Sequence, residues 1–313
     1  MVCMEVWGGC DPINTAVTMA GLDAWVYSKP FCETPVSTSD TEGGGDVYYV
    51  SSCATGRINR LLIADVSGHG AAVRNVAVQL RDLMRRYVNY LDQSAFVTAM
   101  NKRFVETSAA SVFATAVVTT FFAPTRTLSV CNAGHPPPLL YRQAEKTWSL
   151  LDPENQGHRA ATIPLGIIDL DETEQFDITL NVGDLLLIYT DSLMEARDQT
   201  GEIIGTAGLL KIVRDANLNP DHPLSIVPTL LAAIENETGT TLHNDDVTCL
   251  LLRPNGTGTK LTWRKSFAGT YRLIKGVVKS LFTGRRMQLP DLHPANVAGV
   301  MIPSLQRKWG RRK

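Results

Sequence analysis

Four places in this chain put aspartate at the end of an apolar run, beside a tight turn. Asp46 follows Gly43-Gly44-Gly45 and precedes Val-Tyr-Tyr-Val, while Asp65 ends Leu-Leu-Ile-Ala and leads into Val66-Ser67-Gly68-His69-Gly70. Asp191 ends Leu-Leu-Leu-Ile-Tyr-Thr, and Asp245-Asp246 opens Val-Thr-Cys-Leu-Leu-Leu. A carboxylate against a buried strand is costly unless its charge is compensated. If these strand ends converge, their carboxylates repel one another, and divalent cations between them are the simplest remedy. Oxygen-only donors, with no thiolate and no required imidazole, select the hard ions Mg²⁺ or Mn²⁺. Two such ions can lower the pKa of a shared water and offset charge building on a phosphate ester. Glycines beside Asp46 and Asp65 let backbone approach the ions with no Cβ in the way.

Each acid taken alone has a simpler reading. A single Asp at a strand end is commonly a turn former or a helix cap, and Asp65 could cap a helix starting near His69. Spacing leaves both readings open; the repetition of the pattern weighs against the simpler one. His69 is read as structural at a helix start, and His135 as shaping the loop over residues 132–138. Rival phosphate chemistries lack their motifs: there is no Cys-x₅-Arg, no GxxxxGK and no GxSxG.

The elements that must position these acids are short β-like runs with helices between them. Val47–Cys53 and Arg60–Val66 read as strands joined by a turn at Ala54-Thr55-Gly56. From His69 to about Tyr90, Val73, Val76, Ala77, Leu80, Leu83, Met84 and Tyr87 recur at helical spacing. A second helix is expected from Asp92, as its N-cap, to about Glu106. Strands are expected at Phe113–Ala123, Thr127–Asn132 and Pro138–Arg142. Gln175–Leu180 and Asp184–Tyr189 read as a hairpin across Asn181-Val182-Gly183. Helices at Thr206–Ala216 and Pro223–Glu237, the latter stopped at Gly239, precede a last strand, Val247–Arg253. Hairpins mixed with helical pairs point to antiparallel sheet with helices layered outside.

The 313 residues are 44% hydrophobic and 19% charged, ordinary for a chain with a proper core. The net charge of −1 conceals an asymmetry. Residues 254–313 hold 13 of the 30 Lys and Arg but one acid, Asp291, so an acidic body carries a basic tail. A domain over 1–253 is expected, followed by a linker at Pro254–Gly258 and the tail. Phe267, Tyr271, Ile274, Val278 and Leu281 give residues 264–283 the pattern of a basic amphipathic helix. Its apolar stripe could pack on the domain, or the tail could meet an anionic membrane surface or a partner protein. Nothing supports nucleic-acid binding beyond charge. The six cysteines are scattered without zinc spacing. There is no signal-peptide pattern and no apolar run near the roughly 20 residues that cross a bilayer, so a soluble, cytoplasmic protein is expected, peripheral at the membrane if the tail binds there.

Five ordered blocks, GGGDVYYV, ADVSGHG, NAGHPPPLL, GDLLLIYTDSLMEA and NDDVTCLLLR, together resemble the SpoIIE/RsbU branch of the PPM (protein phosphatase type 2C) metal-dependent serine/threonine phosphatases, over roughly residues 40–253. The resemblance implies an α+β fold: a four-layer α/β/β/α sandwich, two antiparallel sheets flanked by helices, with metals at one edge. It implies that Asp46, Asp65, Asp191 and Asp245 are catalytic through two Mn²⁺ or Mg²⁺ ions. The Val66 carbonyl completes one coordination sphere, and Asp246 is the second choice of its pair. It implies hydrolysis of phosphoserine or phosphothreonine on a protein by a metal-activated water, with a STAS-type anti-anti-sigma regulator as substrate in a bacterial partner-switching pathway. The alternatives are a catalytically weak interaction module and a hydrolase of small phosphate esters. The first motif appears by residue 43, so no large sensor domain is expected before it. In eukaryotic relatives the general-acid histidine lies two residues past its aspartate; His69 lies four past Asp65, so that role does not transfer. The family usually has Gly where Ser192 stands, and a turn needing positive φ would strain a serine by ~1 kcal/mol.

Overall fold

Leu185–Tyr189 is apolar at every position, yet its side chains go two ways. Leu186 and Ile188 enter one hydrophobic cluster, Leu185, Leu187 and Tyr189 another. A strand alternates its side chains between two faces, so an unbroken apolar run marks a strand covered on both. The architecture follows from this double burial.

The computed structural model describes residues 2–9, 11–30, 45–53, 56–67, 71–87, 90, 92–107, 112–151, 153, 163–169, 173–239, 242 and 246–257. In chain order the strands are β1 (Val2–Gly8), β2 (Ile13–Met19), β3 (Leu22–Lys29), β4 (Asp46–Cys53) and β5 (Ile58–Val66). Helices α1 (Ala71–Tyr87) and α2 (Gln93–Thr107) follow, then β6 (Ala114–Phe122), β7 (Thr127–Ala133), β8 (Leu139–Arg142) and β9 (Thr147–Leu150). The remainder is β10 (Phe176–Thr179), β11 (Leu185–Tyr189), α3 (Ser192–Glu195), α4 (Gly205–Asp215), α5 (Pro223–Thr238) and β12 (Val247–Pro254).

One sheet runs β1-β4-β5-β6-β7-β10 and the other β2-β3-β12-β11-β8-β9, every pairing between neighbours antiparallel. Their facing sides meet in a core that includes Val50, Leu61, Ile63, Val117 and Phe121 from the first sheet and Val26, Leu186, Ile188 and Leu250 from the second. The outer side of the first sheet packs Tyr49, Leu62 and Ala64 against Leu80, Met84, Phe96 and Phe104 of α1 and α2. The second sheet packs Leu187, Tyr189 and Leu251 against Leu209, Ile226, Leu230 and Ile234 of α4 and α5. The result is the expected α/β/β/α sandwich.

Local signals place several boundaries. Asp92 Oδ1 accepts the Ala95 N–H at 2.8 Å, an N-cap that starts α2. Gly239, at φ 67°, stops α5 with its N–H on the Glu235 carbonyl. Arg60 is buried on β5, where Nη1 donates to Thr120 Oγ1 at 2.9 Å, Nη2 donates to the Tyr90 carbonyl, and the guanidinium lies 4.3 Å from the Phe96 ring centroid. These contacts hold Tyr90 and Phe96 to the sheet.

Two expectations need correction. Phe176–Thr179 and Leu185–Tyr189 do not form a hairpin: β10 pairs with β7 in the first sheet, and β11 lies between β12 and β8 in the second. The turn at residues 181–184 is real, with the Asp184 N–H on the Asn181 carbonyl at 3.0 Å and the Asn181 N–H on Asp184 Oδ2 at 2.9 Å. It hands the chain from one sheet to the other, because β10 completes the free edge of β7. Ser192 does not adopt positive φ, and it opens the short helix α3 in ordinary helical geometry, so the anticipated strain is absent. The amphipathic pattern at 264–283 and the rest of 258–313 lie outside the described residues, as do His69 and Asp245. Asn255 bonds the Met19 carbonyl and Asp23, and the Gly21 N–H bonds Thr257, so the chain after β12 is tied to the β2–β3 turn. No helix among the described residues is long and apolar enough to cross a membrane.

Candidate metal centre

The ends of β4, β5, β11 and β12 meet at one end of the sandwich. Asp46, the first residue of β4, is the direct cross-strand partner of Asp65 near the end of β5. The Val66 N–H bonds the Gly45 carbonyl at 3.0 Å, which carries the ladder one step past Asp46. From the other sheet, Asp246 Oδ2 accepts the Gly45 N–H and lies 3.4 Å from the Asp46 N–H. Asp246 thereby ties the entry of β12 to the entry of β4.

Gly45 shows how closely oxygen atoms crowd here. A Cβ at this position would sit 2.9 Å from Asp65 Oδ1, 2.9 Å from the Val66 carbonyl oxygen and 3.8 Å from Asp246 Oδ2. Two carboxylates and a carbonyl thus border one small space that a side chain would fill. Oxygen-only donors beside a glycine suit a hard divalent cation, so the residues present fit Mg²⁺ or Mn²⁺.

Asp46 is 3% exposed, and burial first, then the nearby Asp246 and Asp65, hold its carboxyl well above the usual carboxylate range. Hydrogen bonds from Thr248 and Thr190 pull the other way, Thr190 Oγ1 donating to Asp46 Oδ2 at 2.9 Å. Asp191 directly follows Thr190 and is half-buried; burial and then Glu195 raise its pKa. α1 begins six positions past Asp65, so Asp65 is not its cap. Among the described residues no three acid, histidine or cysteine side chains close into a cage by themselves. The structure brings together Asp46, Asp65, the Val66 carbonyl and Asp246, with Asp191 one residue beyond the Thr190 contact.

His135 supports the site from behind. The ring is fully buried; Nε2 faces the Tyr189 carbonyl at 3.0 Å, so that nitrogen carries the proton, and Nδ1 accepts from Thr115 Oγ1 at 2.8 Å. Thr115 is the β6 partner of Asp65, and Tyr189 ends β11 two residues before Asp191. The imidazole therefore links the two sheets at the end where the acids meet. Its backbone is clamped by Asn132, whose Oδ1 accepts the His135 N–H and whose Nδ2 donates to the His135 carbonyl, both at 2.8 Å. Sequence reasoning missed Thr190, Thr248 and Thr115; the one available signal was a hydroxyl closing the apolar run before Asp191.

A family model described as Stage II sporulation protein E (SpoIIE) matches residues 56–255, most of the chain. The chain belongs to the SpoIIE family. Solved structures agree on the fold. The RsbU and RsbW domains of Rv1364c from Mycobacterium tuberculosis superpose with a TM-score of 0.58 at 21% identity, over 94% of this chain and 76% of that one. The phosphatase domain of SpoIIE from Bacillus subtilis, in a crystal form without domain swapping, gives 0.54 at 14% identity, over 78% and 98%. RsbX in complex with magnesium gives 0.53 at 15%, over 77% and 99%. This SpoIIE-family chain therefore has the protein phosphatase 2C-like sandwich fold.

Proposed function

We propose that this chain hydrolyses phosphoserine or phosphothreonine on a protein substrate. One observation carries the reading: Asp46 and Asp65 face each other across β4 and β5, where the Val66 carbonyl and Asp246 add further oxygens around Gly45. Asp46, Asp65, Asp191, Asp245 and the Val66 carbonyl are the groups that would hold two Mg²⁺ or Mn²⁺ ions, with Asp246 either ligating or anchoring the Gly45 backbone. When bound, the ions supply Lewis acidity toward water and toward phosphate-ester oxygens. The chain's own part is to keep the carboxylates converged: the β4–β5 ladder sets the Asp46–Asp65 pair, Gly45 leaves room beside it, and Asp246 fixes the incoming backbone.

Family membership supports a place in partner switching, with a STAS-type anti-anti-sigma regulator as substrate, and the magnesium named for RsbX supports the choice of ion. The basic residues 254–313 are proposed to hold the cytoplasmic enzyme at an anionic membrane surface or on a partner protein. The deciding experiment compares a phosphopeptide, an aryl phosphate and small phosphate metabolites as substrates, with Mn²⁺ and with chelator. Metal-dependent turnover that favours the phosphopeptide supports the reading. Preference for metabolites points to a small-ester hydrolase, and a folded protein with no turnover to an interaction module.

A further inference from the structure

Asp46 begins a strand of the first sheet, but the side chains that grip its carboxylate come from the second. Thr190, the residue after β11, is fully buried, and its Oγ1 lies 2.9 Å from Asp46 Oδ2. The same oxygen accepts the Thr248 backbone N–H at 3.0 Å. That leaves the single hydroxyl proton two acceptors, Asp46 Oδ2 at 2.9 Å and the Thr248 carbonyl at 3.4 Å. The shorter contact, to a group that can carry charge, is the stronger hydrogen bond. Thr248 of β12 is fully buried too, its hydroxyl 3.0 Å from Ser28 Oγ on β3. Its hydroxyl also acts to lower the pKa of the Asp46 carboxyl, against the effect of burial.

We propose that Thr190, seconded by Thr248, is a positioning residue that fixes the direction in which Asp46 presents its carboxylate to a divalent cation. The proposal rests on the reading of Asp46 as a metal ligand. Its consequence is that the second sheet sets the affinity of a ligand carried by the first. The carboxylate is aimed by a hydroxyl that belongs to the β11 end of the second sheet, so losing that hydroxyl loosens the metal while every ligand side chain stays in place. Groups that orient a ligand in this way typically contribute on the order of 10- to 100-fold in metal affinity.

The test uses the full chain and Mn²⁺ alone as the probe. Wild type, Thr190→Val, Thr190→Ser, Thr248→Val and Asp46→Asn are titrated by calorimetry well below their unfolding temperatures, and melting curves of the metal-free proteins are recorded alongside. Thr190→Ser keeps the hydroxyl and is expected to bind Mn²⁺ within about twofold of wild type. Thr190→Val keeps the shape, loses the donor, and is expected to weaken binding by about 10- to 100-fold. Thr248→Val is expected to weaken it in the same direction by a smaller factor. A purely structural threonine would lower the melting temperature of Thr190→Val and leave the Mn²⁺ dissociation constant unchanged; that result, or a Thr190→Ser protein as weak as Thr190→Val, overturns the proposal. If Thr190→Val does not fold, Thr190→Ala decides, because it removes the same donor with a smaller side chain; unchanged affinity there overturns the proposal. Asp46→Asn separates the two readings. Should it bind Mn²⁺ as wild type does, the metal assignment of Asp46 falls and the positioning role with it. Loss of Mn²⁺ in Asp46→Asn with full retention in both valine variants removes the positioning role alone.

Discussion

Asp46 and Asp65 are direct cross-strand partners at the shared end of β4 and β5. Like charges placed directly opposite on neighbouring strands are destabilising, and here one of the two is buried. The arrangement costs stability in the metal-free protein, a cost that a cation bound as proposed would relieve.

Asp65→Asn is therefore expected to act in opposite directions on stability and on metal binding. Removing one of the facing charges should stabilise the metal-free protein by about 0.5–1 kcal/mol, which is about 1–4 °C in melting temperature for a domain of this size. The same variant should lose the rise in melting temperature that Mn²⁺ gives the wild type by binding only the folded state. Thermal scans with Mn²⁺ and with chelator check both. An Asp65→Asn protein stabilised by Mn²⁺ as fully as wild type would contradict the shared-cation reading.

Gly45→Ala should show whether the space beside Gly45 matters. The added methyl would meet Asp65 Oδ1 and the Val66 carbonyl, each at 2.9 Å. Strand ends must shift to admit it, at a cost of about 1–3 kcal/mol. Metal-dependent hydrolysis should fall at least about tenfold, as expected when ligand geometry is disturbed. Urea unfolding and Mn²⁺-dependent turnover of an aryl phosphate read the two effects separately, and wild-type values in both would remove Gly45 from the site.

His135 gives a pH dependence with a definite sign. Burial pushes its imidazole down from 6.5 to about 4, only partly opposed by its bond to the Tyr189 carbonyl. The unfolded chain takes up this proton below about pH 6.5 and the folded chain does so only near pH 4. The stability tied to the neutral ring is thus complete above about pH 6.5 and is lost as pH falls through 4, in total about 3 kcal/mol. Urea unfolding of wild type and His135→Gln at pH 7, 5.5 and 4 checks it. The variant should lose less stability across that window; equal slopes would show that another group is responsible.

Deleting residues 260–313 removes all 13 basic residues of the tail and its only acid. Binding to vesicles rich in anionic lipid should drop to background, and wild-type binding should weaken steeply with salt, since each basic residue near such a surface contributes about 1 kcal/mol at low ionic strength. Co-sedimentation at low and high salt measures it. Unchanged, salt-insensitive binding by the truncated chain would end the membrane reading, leaving a partner protein as the target.

Elements whose signals are local were readable from the chain alone. The Asp92 cap, the Gly239 stop and the helical spacing of Val76, Leu80, Leu83 and Met84 all act within a few residues, and α1, α2 and α5 fall where those signals put them. The strands β1, β2 and β3 were not anticipated. In β2, residues 13–16 are at most half-buried, so this strand carries weak apolar patterning and takes its place only by pairing with β3. The misread hairpin has a similar cause: Asn181-Val182-Gly183 encodes a reversal of direction, but a turn does not specify which sheet receives the next strand.

Residue type and immediate context determined the chemistry on offer: oxygen donors at strand ends, glycine beside two of them, and no thiolate or imidazole competing for the ion. What they could not determine is that Gly45 and Asp246, 201 positions apart, touch through a hydrogen bond, or that a buried threonine of the opposite sheet bonds the Asp46 carboxylate. Alternation along a strand says which side chains face inward, whereas the offset of one sheet over another is set by how the whole interior packs. Only the folded sandwich could decide that the acids meet.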